Sequence, residues 1–264
     1  MMFWGALLFL LLIWAAAAPY MTPNDPYLAN LSIAKLPPGG EYPMGTDQLG
    51  RCLLSRIMAG APATLFYSLL VVAITFLAGT LVGVLCGYIG GRFDAVVMRV
   101  VDILLAFPGI ILCIAVAGTL GAGMQNAVIA LSVTGWTQYA RLARSRVLAL
   151  REDVFMQAAQ VTGSSPVKII FRHVLPNAMR VLIVTAALSI GGTIMEMASL
   201  SFLGLGAQLP TPEWGLMISM GRTYFPDKWW YCIFPGIAIF LTVLCFNLLG
   251  DAIREILDPK TRKK

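Results

Sequence analysis

Two long runs without a charge constrain this chain more than any other feature. Residues 57–91 contain no Asp, Glu, Lys or Arg over 35 positions, and residues 103–140 contain none over 38. A water-soluble domain carries about 25% charged residues, spread over a surface that must face solvent. Here 12% of 264 residues are charged and 58% are hydrophobic, with a mean hydropathy of +0.80. The solvent for such a chain is a lipid bilayer. That excludes a soluble enzyme, a disordered tail and a nucleic-acid-binding module, despite a net charge of +6.

A membrane-spanning helix needs about 20 mostly apolar residues. On that measure the expected fold is all-α, a polytopic membrane protein with six transmembrane helices. The first span is residues 1–18. Ala15 to Ala18 also resemble a small-residue cleavage site, but no Lys or Arg precedes the run as it would in a signal peptide. The second span covers about 61–88. The 103–140 run supplies two more, separated at Gly118, Gly121 and Gly123 beside the polar Gln125 and Asn126. The fifth is about 181–203, interrupted only by Glu196, and the sixth is 229–250.

Basic residues orient these spans. Of the 19 Lys and Arg residues, 14 fall in segments 89–102, 141–180 and 251–264, which share one side of the membrane. The other five are Lys35, Arg51, Arg56, Arg222 and Lys228. The richer side is expected to be the cytoplasm, with both termini there, and the positive charge to meet anionic lipid. The resulting organisation is a first helix over 1–18, an external loop and amphipathic lead-in over 19–60, a five-helix core over 61–251 and a basic tail over 252–264. A second external loop spans 203–228, with Trp214, Trp229, Trp230 and Tyr231 expected near the membrane interface. Cys86, Cys113 and Cys245 sit in apolar runs, whereas Cys52 and Cys232 lie in connecting segments with their pairing open. No internal repeat or low-complexity segment is present.

Segment 141–180 is long, basic and helical in pattern. Arg141, Arg144, Leu148 and Arg151 extend the fourth span into water, and Ala158, Ala159 and Val161 carry the pattern to Gly163, a residue suited to a helix end. Ser165 fits an N-cap and Pro166 the first helical position, starting a short helix that Pro176 should stop. Ala159 and Gly163 share a face. Small side chains there admit close approach of another protein, or pack beneath neighbouring spans; the residues alone leave both readings open.

At this point a resemblance enters. Gln157-Ala158-Ala159, then Gly163, then His173-Val174-Leu175-Pro176 resembles the EAA loop of bacterial binding-protein-dependent ABC importer permeases, departing at Gln157 for Glu and at His173 for Ile. The stretch from Gly45 to Arg51, Gly90 to Asp94, Arg99 to Asp102 with Ala106-Phe107-Pro108, Phe171 to Asn177, Ser199 to Gly206 and Phe246 to Asp251 are similar to segments of the oligopeptide, dipeptide and nickel permeases, in their second or "C" subunit.

The resemblance implies a type I ABC importer permease fold in the bacterial cytoplasmic membrane, forming half of a channel with a second permease subunit. It implies two ATPase subunits docked through Gln157, Ala158, Ala159, Gly163, Ser165, Pro166, His173, Leu175 and Pro176. It also implies an extracytoplasmic binding protein that delivers di- or oligopeptides, nickel or a metal chelate. No GxxxxGK[ST] loop occurs in the chain, so ATP and Mg are expected on the partner ATPases and no cofactor on this subunit.

Single residues carry weaker signals. Glu196 is the one acid well inside a span, and such carboxylates face a partner or a water-filled cavity. It either lines the pathway and meets a cationic group of the substrate, or is satisfied structurally. Arg99 and Asp102, three apart, should pair on one helix face. His173 has no Cys or carboxylate cluster around it and does not read as a metal site. No catalytic arrangement is present. A self-sufficient secondary transporter is the competing class, and the internal repeats and several intramembrane charges usual there are missing from the sequence.

Overall fold

In the computed structural model residues 13–151 and 165–257 are described. Among them the regular elements are all helical, with two isolated bridges, Gly39 to Tyr42 and Thr46 to Cys52, in the loop that precedes the first long helix. That helix, α1, is Leu53–Ile89. It is followed by α2 (Gly91–Ala106), α3 (Gly109–Leu120), α4 (Met124–Arg151), α5 (Leu175–Phe202), the short α6 (Trp214–Gly221) and α7 (Trp230–Leu257). Helices α1, α5 and α7 are each long and apolar enough to cross a membrane.

Two chain breaks shape the middle of the molecule. The expected break near Gly121 and Gly123 is present: both glycines take positive φ, and the Asn126 side-chain amide donates to the Leu120 and Gly121 carbonyls left open at the end of α3. A second break was not expected. Phe107 is extended ahead of Pro108, as steric conflict with the proline ring requires, and α2 and α3 meet at 94°. The third span is therefore a bent pair rather than one straight rod, and α3 alone has 12 residues, about 18 Å of rise. Helix α4 is long enough to cross, but Gln125, Asn126, Gln138 and its arginines make it too polar to qualify by hydropathy. Three spans qualify outright, or four if the bent pair counts as one. Most of the first expected span lies outside the described residues.

The most extensive helix contact is between α1 and α4. Gly79, Gly83 and Gly87 recur every fourth residue on one face of α1, where a methyl group would overlap the Trp136 and Ala140 carbonyls or the Val147 side chain of α4. Lipid tails give no hydrophobic drive for two apolar helices to associate, so close backbone approach through small residues supplies the contact instead. Below this seam, Val84, Tyr139, Ala143, Val147, Ile169, Val174, Ala178 and Leu182 form one buried cluster joining α1, α4 and the start of α5.

Pro176 does not end a helix. Pro166–Ile169 is helical, Ile170–Val174 forms a π turn, and α5 begins at Leu175 with Pro176 in its first turn. The wider i→i+5 turn absorbs the missing proline N–H, so the chain runs on into the membrane without a stop.

Trp214, Trp230 and Tyr231 do not sit at the lipid interface either; each is at least 95% buried, and only Trp229 is half-exposed. Trp214 Nε1 donates to the Ile57 carbonyl at 2.9 Å, seating α6 against the N-terminal end of α1. Cys52 and Cys232 are both free thiols.

Candidate functional site

A polar cavity of about 180 Å³ opens between α1, α3, α4 and α5, with Leu105 of α2 at its edge. Thr75 comes from α1, Cys113 from α3, Thr134, Gln138 and Tyr139 from α4, and Ser189, Thr193 and Glu196 from α5. The α5 residues are spaced four and three apart, which puts them on one helical stripe. Several hydroxyls are already committed. Thr75 donates to the Val71 carbonyl, Thr193 to the Ser189 carbonyl, and Tyr139 and Ser189 share a hydrogen bond of 2.5 Å between helices. Cys113 Sγ and Thr134 Oγ1 are 3.1 Å apart. Glu196 is exposed at the cavity wall, and no ion pair to it forms among the described residues. The geometry thus presents one carboxylate and a wall of dipoles to whatever enters.

The flank next to the basic segment is held by charge. Arg144 of α4 binds both carboxylate oxygens of Asp94 in α2, at 2.5 and 2.6 Å. Asp102 pairs with Arg141 of α4 at 2.6 Å, not with its neighbour Arg99, because α4 runs alongside α2 and offers a guanidinium across the gap. Arg151 donates to the Gly87 carbonyl at the end of α1. These contacts fix the root from which the basic segment departs.

Of the residues singled out in that segment, Gln157, Ala158, Ala159 and Gly163 lie outside the described residues. Ser165 immediately precedes the helical turn that begins at Pro166, and its Oγ accepts from the Lys168 N–H. His173 falls in the π turn, Leu175 is half-buried at the start of α5 and Pro176 is exposed. The neighbouring Ile169 and Val174 are buried in the cluster with Tyr139 and Val147, which anchors this arm on α4.

Sequence reasoning passed over Glu213. It is fully buried, and its carboxylate caps α6 by accepting from the Gly215 and Leu216 N–H groups at 2.9 and 2.8 Å. Burial pushes this carboxyl above the usual range, opposed by those two backbone donors. A Glu directly before an apolar turn was the available signal. Gln138, Tyr139 and Ser189 were also passed over, because their meeting across helices leaves no local pattern.

The arrangement defines a class: a helical membrane protein with a polar, partly open cavity inside its span region and a charge-braced flank. The description "binding-protein-dependent transport system inner membrane component" belongs to the family model that matches residues 79–263. The probable D,D-dipeptide transport system permease protein DdpC of Escherichia coli (strain K12) is 43% identical over 260 residues, covering 98% of this chain and 87% of that protein. The dipeptide transport system permease protein DppC of Alkalihalophilus pseudofirmus is 42% identical, covering 94% and 82%. The glutathione transport system permease protein GsiD of Pectobacterium atrosepticum is 41% identical, covering 97% and 86%. A chain of the MetNI methionine ABC transporter in an inward-facing conformation superposes with a TM-score of 0.62 at 21% identity, covering 77% of this chain and 96% of that one, a likeness of fold. This chain belongs to the family of binding-protein-dependent transport system inner membrane components. It is a permease subunit of an ABC importer, a transport component and not an enzyme.

Proposed function

We propose that the chain forms one half of the translocation channel of an importer for di- and oligopeptides, the other half coming from a second permease subunit. The observation that carries this reading is the cavity itself. At about 180 Å³ and open on one side, it is smaller than the roughly 300–1,000 Å³ of complete small-molecule sites. A facing subunit would complete it. The dipeptide names of two relatives and the glutathione name of a third favour peptides over nickel or a metal chelate.

In this reading an extracytoplasmic binding protein delivers the peptide, and two ATPase subunits holding ATP and Mg dock on the basic segment around Gln157, Ala158, Ala159 and Gly163. ATP-driven closure then switches the cavity between the two sides. The larger share of basic residues supports a cytoplasmic position for that segment and for both termini. Glu196 lines the path and attracts the cationic amino group of the peptide, while Gln138 and the hydroxyls around it satisfy backbone polar groups on the way through.

Uptake of a labelled dipeptide tests this. Glu196→Gln keeps the shape and removes the charge, so uptake of a free-amino dipeptide should fall about tenfold, the worth of one charge-assisted hydrogen bond. Uptake of the same dipeptide carrying a blocked amino group should change little. Equal loss for both would show that Glu196 acts only on structure.

A further inference from the structure

Where the first long loop meets the N-terminal ends of α1 and α7, three buried donors without a partner converge on a cavity whose single acid is Asp47. The cavity, about 10 Å³, is lined by Asp47, Arg51, Arg56 and Tyr231, with Gln48, Leu53, Met217 and Met220 closing it. Asp47, Arg51, Arg56 and Tyr231 are all more than nine-tenths buried. Asp47 Oδ2 sits 2.7 Å from Arg51 Nε and 3.7 Å from Arg56 Nε, so one carboxylate bridges two guanidiniums. Arg56 also donates to the Pro26 carbonyl through Nη1. That leaves Arg51 Nη2, Arg56 Nη2 and the Tyr231 hydroxyl buried without a hydrogen-bond partner.

The charges do not balance. Two guanidiniums, which stay protonated in any protein environment, face one carboxylate, and no second acid lines the cavity. An uncompensated buried cation is among the costliest arrangements a fold can hold, and buried donors are almost always paired. Water would satisfy the donors but leave the excess charge. A polyatomic anion such as sulfate or phosphate does not fit a space of one-atom scale.

We propose that this pocket is a binding site for one monoatomic anion, chloride, held by Arg51, Arg56 and Tyr231. The ion neutralises the pair that Asp47 alone cannot, and locks the first long loop to the N-terminal ends of α1 and α7. Its role is structural and independent of what the channel carries.

The test uses the full-length protein purified in detergent. Its thermal unfolding is followed in sodium chloride and in sodium gluconate at equal ionic strength. Chloride should raise the midpoint by roughly 3 °C with a saturating concentration dependence, as a ligand of the folded state does. Tyr231→Phe keeps the ring and removes one donor, so the chloride concentration giving half the rise should increase about tenfold. Crystals grown in bromide should show an anomalous peak between Arg51 and Tyr231. Identical midpoints in chloride and gluconate, an unchanged half-point in Tyr231→Phe, or a bromide-grown crystal without that peak would each overturn the proposal.

Discussion

Arg144 reaches across from α4 to grip both oxygens of Asp94 in the first turn of α2, fifty residues earlier in the chain. The pair is only partly exposed, at 32% and 13%, so solvent screening weakens it without abolishing it. Nothing local in the sequence announces this contact, because its partners come from separate helices. It ties the bent pair α2–α3 to the helix from which the basic segment emerges. A double-mutant cycle on Arg144→Ala and Asp94→Ala should give a coupling of about 1 kcal/mol in thermal unfolding. Zero coupling would reduce the pair to a surface contact.

The α1–α4 seam should be intolerant of side-chain volume. Gly83→Val puts a branched side chain against the Ala140 carbonyl and the Ala143 side chain. Both are backbone or backbone-proximal atoms that cannot move aside, so the folded, monodisperse yield in detergent should collapse. Gly118→Ala on α3, with no atom within 4 Å of the added carbon, is the control and should behave as wild type. Equal behaviour of the two would mean that α1 and α4 are free to separate.

Glu213 predicts a pH effect with a definite sign. Burial raises its folded value above that of the unfolded chain. Its contribution to stability is therefore full below the unfolded carboxylate range and fades as pH rises through the raised folded value. Glu213→Gln should remove that slope, so its unfolding temperature relative to wild type rises as pH climbs above the unfolded carboxylate range. Glu213→Ala leaves the Gly215 and Leu216 N–H groups uncapped and should cost about 1–2 kcal/mol below the unfolded carboxylate range, a cost that shrinks as pH rises. A wild-type curve parallel to that of the Gln variant would contradict the assignment.

How much of this was legible beforehand differs by element. The spans beginning at Leu53, Leu175 and Trp230 were readable because an apolar run of that length has one outcome in a bilayer. The Gly121 break was readable because glycine beside Gln125 and Asn126 is a local signal. Phe107-Pro108 was an equally local signal for a bend, and its weight was hidden by the charge-free run around it. Pro176 misled because the π turn before it supplies the slack that a simple α-helix lacks. Trp214 and Tyr231 were expected at the interface from residue type alone, whereas their burial follows from α6 folding back against α1. The cavity was legible only in Glu196; its other walls come from five helices whose register no single stretch encodes.

The proposed docking of ATPases on the basic segment gives a further expectation. Gly163→Arg should release the ATPase subunits in a pull-down and abolish uptake while leaving membrane insertion intact. Arg146→Ala, an exposed change on α4, should do neither. Retained ATPase and normal uptake in Gly163→Arg would remove that segment from the coupling interface.

The central claim is that this chain is half of an ATP-driven peptide channel, and reconstitution tests it most directly. Liposomes holding this chain with a second permease and two ATPases, given binding protein and internal ATP, should accumulate a labelled dipeptide, and omitting any one component should stop uptake. Accumulation of the dipeptide by liposomes holding this chain alone would contradict the account.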